Sequence, residues 1–109
     1  MATRQTNDRL LTFTAYANPS TATDTAVVAA VTGRVIKVHA VFTVAAAANT
    51  VFFKSATTAL TGSSALAANG GLVLPYNEQG WFKTVEGEAL NFTTSAAVAT
   101  GVTVVYSLE

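Results

Sequence analysis

The sequence predicts an all-β protein: a compact sandwich, jelly-roll-like fold or barrel of about eight short antiparallel strands. Three observations carry this. Apolar residues alternate with threonine and valine in short runs, the period of a half-buried strand. Asn, Gly and Pro punctuate those runs at intervals typical of all-β domains. No segment keeps a helical period beyond about two turns, fewer than the three of an average helix.

The elements follow in order. Residues 1–9 are polar and without periodicity, so they read as an extended arm, either a frayed end or a segment that becomes ordered against a partner. In Leu10–Tyr16, Leu11, Phe13 and Ala15 share one side and Thr12 and Thr14 the other, until Asn18-Pro19-Ser20 breaks the ladder. Asp24–Val31 is a second apolar run, closed by a turn at Thr32-Gly33. Arg34–Val44 is the clearest strand, with Ile36, Val38, Ala40, Phe42 and Val44 expected on one face and Val35, Lys37, His39, Val41 and Thr43 on the other. Four alanines cannot nucleate a helix, so Ala45–Asn49 reads as a connection into a strand over Thr50–Ser55. A weaker strand over Thr57–Leu60 follows, then a turn at Asn69-Gly70-Gly71 that needs positive φ, then Leu72–Pro75. Trp81–Val85 and Ala89–Ser95 flank Glu86-Gly87-Glu88, expected as a hairpin turn, and Gly101–Glu109 closes the domain. After the arm, residues 10–109 form one domain.

Composition narrows the function. Charged residues make up 11% of the chain, about half the usual share for a soluble domain, while 50% is hydrophobic. A chain of this length buries only about 65% of its unfolded surface. Part of the apolar surplus is therefore expected between subunits. Zero formal net charge removes repulsion between copies and supplies no basic field for nucleic acid. Arg4, Arg9, Arg34, Lys37, Lys54 and Lys83 are scattered rather than striped. There is no cysteine, so disulfides and thiolate metal sites are excluded. The N-terminus lacks the apolar stretch of a secretory signal, and the longest apolar-leaning run, Val38–Ala48, is too short for a membrane helix. The chain is therefore expected to be made in the cytoplasm, with no membrane and no nucleic-acid partner.

Candidate chemistry is sparse. His39 is the sole histidine, and no local motif provides it with a nucleophile and an orienting acid. Glu86 and Glu88 are the only close carboxylates, without the oxygen-rich loop that calcium needs. The glycines precede a strand rather than a helix, so no phosphate cradle is expected. Catalytic residues, metal ligands and cofactors are all expected to be absent. The aromatic cluster Tyr76, Trp81 and Phe82 flanks Asn77-Glu78-Gln79-Gly80. By alternation, Phe82 inward puts Trp81 outward. Tyr76 and Trp81 are thus candidate interface anchors, with Arg4 and Arg9 on the arm, or alternatively a sugar-binding platform.

The segment from Asn69 to Asn91, with Gly70-Gly71, Leu74-Pro75, Gly80-Trp81-Phe82 and Gly87-Glu88-Ala89-Leu90-Asn91, resembles one in small proteins of tailed bacteriophages. The strand Arg34–Val38 and the valine-rich C-terminal strand extend the resemblance over roughly residues 25–109. The family is that of capsid decoration, or cement, proteins. The resemblance implies a compact β fold, homotrimeric assembly, the major capsid protein as partner and a place on the outer surface of the virion. It brings no catalytic residue. The rival reading is a carbohydrate-binding or host-adhesion module.

Overall fold

The computed structural model describes residues 11–109. Ten strands run in order: β1 (Phe13–Ala17), β2 (Asp24–Val28), β3 (Ile36–Ala45), β4 (Asn49–Ser55), β5 (Thr58–Ala59), β6 (Ser64–Leu66), β7 (Gly71–Leu74), β8 (Phe82–Lys83), β9 (Leu90–Thr94) and β10 (Thr100–Leu108). Every pairing is antiparallel. One sheet has the order β1-β10-β3-β7, with β8 also on β3, and the other the order β2-β9-β4-β5, with β6 also on β4.

The fold class is the expected one, and its topology can be read from these orders. With β5 and β6 as one interrupted strand on β4, and β7 and β8 as another on β3, eight principal strands remain. The first pairs with the last, the second with the seventh, the third with the sixth and the fourth with the fifth. This is a long hairpin rolled into two facing sheets, the jelly-roll arrangement. Most connections therefore cross between sheets, and short polar segments such as Asn18-Pro19-Ser20 serve as corners.

The core lies between the sheets. Ile36, Val38 and Val104 from one sheet and Leu90, Phe92 and Val51 from the other are all at most 1% exposed. Each such side chain contributes on the order of 1.5–3 kcal/mol by leaving water. Phe53 joins the layers at the open side of the sandwich, its ring 5.1 Å from both Phe82 and Phe92.

Two expectations need correction. The regular alternation across Arg34–Val44 does not hold, because β3 carries a bulge. Val105 pairs with Ala40 but Tyr106 pairs with Val38, so His39 is the extra residue. A bulge resets the period: Ile36 and Val38 point inward before it, and Val41, Thr43 and Ala45 after it. Ala40, Phe42 and Val44 consequently lie on the outer face. Second, Glu86–Glu88 is not a hairpin turn. The strands it joins, β8 and β9, belong to different sheets, and Glu88 hydrogen-bonds buried Ser55 instead of standing in solvent. The turn before β7 has the positive φ expected within Asn69-Gly70-Gly71, at Asn69 (60°). Gly71 is needed for another reason: a Cβ there would lie 2.3 Å from the Thr43 carbonyl oxygen across the strand pair.

Candidate functional site

The buried polar side chains have hydrogen-bond partners, several of them backbone groups. Asn49, at the start of β4, ties the two sheets together. Its amide donates to Thr100 Oγ1 at 3.0 Å, while Oδ1 accepts from the backbone N–H groups of Ser95 and Ala96 at 3.1 and 3.0 Å. Thr84 Oγ1 accepts from Ile36 N, and Thr43 Oγ1 donates to Gly101 O. Such pairing is what burial of polar atoms requires.

Among the described residues, His39 is the one buried ionisable side chain. It is fully buried, with Nδ1 2.8 Å from the Asn77 carbonyl oxygen and Nε2 2.8 Å from Ser107 Oγ. A carbonyl only accepts, which assigns a ring proton to Nδ1. In the tautomer protonated at Nδ1, the Ser107 hydroxyl donates to Nε2. The Ser–His separation is that of a nucleophile and its base. Ser107 is 1% exposed, however, and the Tyr76 ring stacks on His39 at 5.6 Å between centroids. No path leads a substrate carbonyl to Oγ in this arrangement. Sequence reasoning did not find this pair, because its members stand 68 residues apart and meet only through the β3–β10 pairing.

The loop over residues 75–81 covers that pair and carries both described members of the predicted interface set. Asn77 organises it: Oδ1 accepts from Gln79 N, and its backbone oxygen accepts from Gly80 N. Asn77 N and Trp81 N donate to the His39 and Val38 carbonyls, stapling the loop to β3 beside the bulge. Tyr76 and Trp81 are 55% and 43% exposed, and the Trp81 indole N–H donates to the Pro75 carbonyl at 2.8 Å. Phe82, as alternation predicts, packs on the core. Beside Trp81 lies a shallow hollow of about 220 Å³ that includes Lys37, Gln79 and Lys83. Arg4 and Arg9, the other predicted interface residues, and the arm that carries them lie outside the described residues.

The outer faces of the two sheets differ. On the β2-β9-β4 sheet, Asp24 pairs with Lys54 at 3.2 Å and accepts from Thr93 Oγ1 at 2.7 Å. These bonds hold the Asp24 carboxyl below its ordinary pKa, the Thr93 hydroxyl contributing most and Lys54 next. The outer face of β1-β10-β3-β7 has no such group at its centre. Tyr16, Thr103, Phe42 and Val73 form one cross-strand row, and Thr14, Val105 and Ala40 the next. Tyr16 is 72% exposed, Phe42 54% and Val73 69%. Ala40, being small, leaves a hollow of about 230 Å³ bounded by Phe42, Val73, Pro75, Thr103 and Val105. A further apolar cleft of about 310 Å³ opens between the sheets, lined by Val51, Phe53, Leu72, Leu74 and Phe82, with Thr61 and Ser64 among its polar members.

Among the described basic residues, Arg34, Lys37 and Lys54 have partners within the fold. Arg34 donates to the Leu108 and Glu109 carbonyls, and Lys37 pairs with the Glu109 carboxylate at 3.1 Å. Among the described residues, no cluster of three or more His, Cys, Asp or Glu side chains is placed to hold a metal ion. No helix of the described residues is long and apolar enough to cross a membrane.

No protein-family profile matches the chain, and no curated protein matches it. Among solved structures, it is similar to one from work titled "Bacillus endospore appendages form a novel family of disulfide-linked pili". The two are 13% identical, the TM-score is 0.45, and the match spans 93% of this chain and 88% of the other.

Proposed function

We propose that this chain is a non-enzymatic structural protein of a bacteriophage virion, a decoration protein that binds the outer capsid surface as a homotrimer and stabilises the shell. One observation carries the reading. The nucleophile–base pair Ser107–His39 is turned inward and joined by a hydrogen bond, while large apolar side chains such as Tyr16, Phe42 and Val73 stand in water. A domain arranged this way is suited to being covered by other protein. The Asn69–Asn91 resemblance supplies the virion context. Closed rotational symmetry limits such association to a finite ring. A trimer seated at a threefold site then gains avidity, since each later contact is effectively intramolecular. The polar arm, residues 1–9, is the candidate foot on the shell.

Purified particles of the phage that encodes the chain provide the test. The protein should be present at a fixed ratio to the major capsid protein and accessible to antibody on intact particles. Particles made without it should rupture at lower temperature. Its absence from intact particles would overturn the proposal.

A second reading, glycan binding by a virion adhesion module, is favoured by exposed Tyr76 and Trp81 beside the hollow that holds Gln79, Lys37 and Lys83. Aromatic faces beside polar groups are the usual composition of a small-ligand site. A glycan array separates the two readings, because a pure cement protein gives no signal on it.

A further inference from the structure

The outer face of β1-β10-β3-β7 holds the largest concentration of exposed apolar side chains, and we infer that a second copy of this chain docks on it. The inference rests on the homotrimer reading above and deepens it by naming the surface.

The first argument is area. Tyr16, Phe42 and Tyr76, each more than half exposed, together with Val44 and Val73, present on the order of 500 Å² of apolar surface. That is near the upper end for the largest patch on a monomer. With Thr14, Thr103, Val105 and Ala40 between them, the footprint approaches the ~800 Å² per partner of a standard interface.

The second argument is charge. The rows through Phe42, Val105 and Val44 contain no Lys, Arg, Asp or Glu, and the nearest charge, Lys37 at the end of the face, is already paired with Glu109. A partner placing a charge against them would strip it of water without an opposite charge in return. The fitting partner is therefore itself uncharged over a similar area. Within this protein the other sheet's outer face does not qualify, since it carries Asp24 and Lys54. A copy of the same face does, and zero net charge opposes the approach of copies only weakly.

The third argument is relief. Phe42 and Val73 project from the face, while Ala40 between its neighbours leaves the 230 Å³ hollow. One surface thus offers both projections and a recess, the requirement for two copies to interlock. In a trimer, three such faces turn toward the axis and each divides its footprint between two neighbours.

The test uses the full chain. Absolute mass is measured by light scattering on a sizing column for the wild type, Phe42→Lys, Val73→Lys and the control Ala26→Lys on the opposite sheet. Circular dichroism and a thermal melt check folding. The expected result is a wild-type and A26K mass near three times 11.2 kDa, with F42K and V73K falling to a single 11.2 kDa chain and keeping their β spectrum. Should F42K fail to fold, V73K on the short strand β7 decides. An unchanged mass in folded F42K and V73K would overturn this surface and leave the homotrimer standing. A monomeric wild type would overturn both.

Discussion

Replacing Ser107 with alanine tests whether the buried Ser–His pair is structural. The change removes one oxygen and opens almost no cavity, so its effect is confined to the hydrogen bond. In the wild type, Ser107 Oγ lies 2.8 Å from His39 Nε2, and both side chains are at most 1% exposed. In the variant Nε2 remains buried without a donor, and a buried polar atom left unpaired costs about 1–3 kcal/mol. A value near the middle, about 2 kcal/mol, lowers the melting temperature of a domain this size by roughly 8 °C. The double variant His39→Leu/Ser107→Ala removes both partners. The Asn77 carbonyl that His39 Nδ1 faced keeps its bond from Gly80 N at 2.9 Å, so no new orphan is created there. The double variant is therefore expected to be more stable than the sum of the single losses, by about 1–2 kcal/mol. Urea unfolding of the four proteins measures this coupling. An S107A protein within 0.5 kcal/mol of wild type would refute the reasoning. It would show that Nε2 reaches water or another donor, and would reopen the question of access to Ser107.

Other expected outcomes follow from the same network. Asn49→Ala orphans the Ala96 N–H, leaves the Ser95 N–H only its bond to the Thr50 carbonyl and removes the donor to Thr100 Oγ1, and should cost about 1–3 kcal/mol, with Asn49→Asp recovering part of it by keeping the acceptor. Equilibrium unfolding in urea measures both. Asp24 gives a pH dependence with a definite sign. Its folded pKa lies below the ordinary 3.8, so its stabilisation is present above that value and is lost as pH falls through the lowered folded one. Asp24→Asn should flatten the stability–pH curve in that acid window and leave its shape near neutrality unchanged, as thermal melts across acid pH would reveal.

The legibility of the fold in the sequence has a physical explanation. Strand positions are written locally: β-branched and aromatic residues at period two, bounded by Asn18-Pro19-Ser20, Thr32-Gly33 and Asn69-Gly70-Gly71, identify the strands whichever partners they find. The low charge and apolar surplus are likewise visible without a structure, and so is the outward turn of Trp81 opposite Phe82.

Facing is a different matter. In β3, apolar residues occupy both alternating sets, so alternation alone offers two equivalent choices of core face. The bulge at His39 then exchanges them midway, burying Val41 and Thr43 and exposing Phe42 and Val44. That bulge depends on β10 and on the loop stapled beside it, which are distant in sequence. The same holds for Ser107 against His39 and for Glu88 turning to Ser55. The sequence by itself determined an uncharged, turn-punctuated β chain with more apolar surface than one small core can use. Only the tertiary structure decided which side chains became core and which became surface, because each strand's inward face is set by the register and bulges of partners far along the chain.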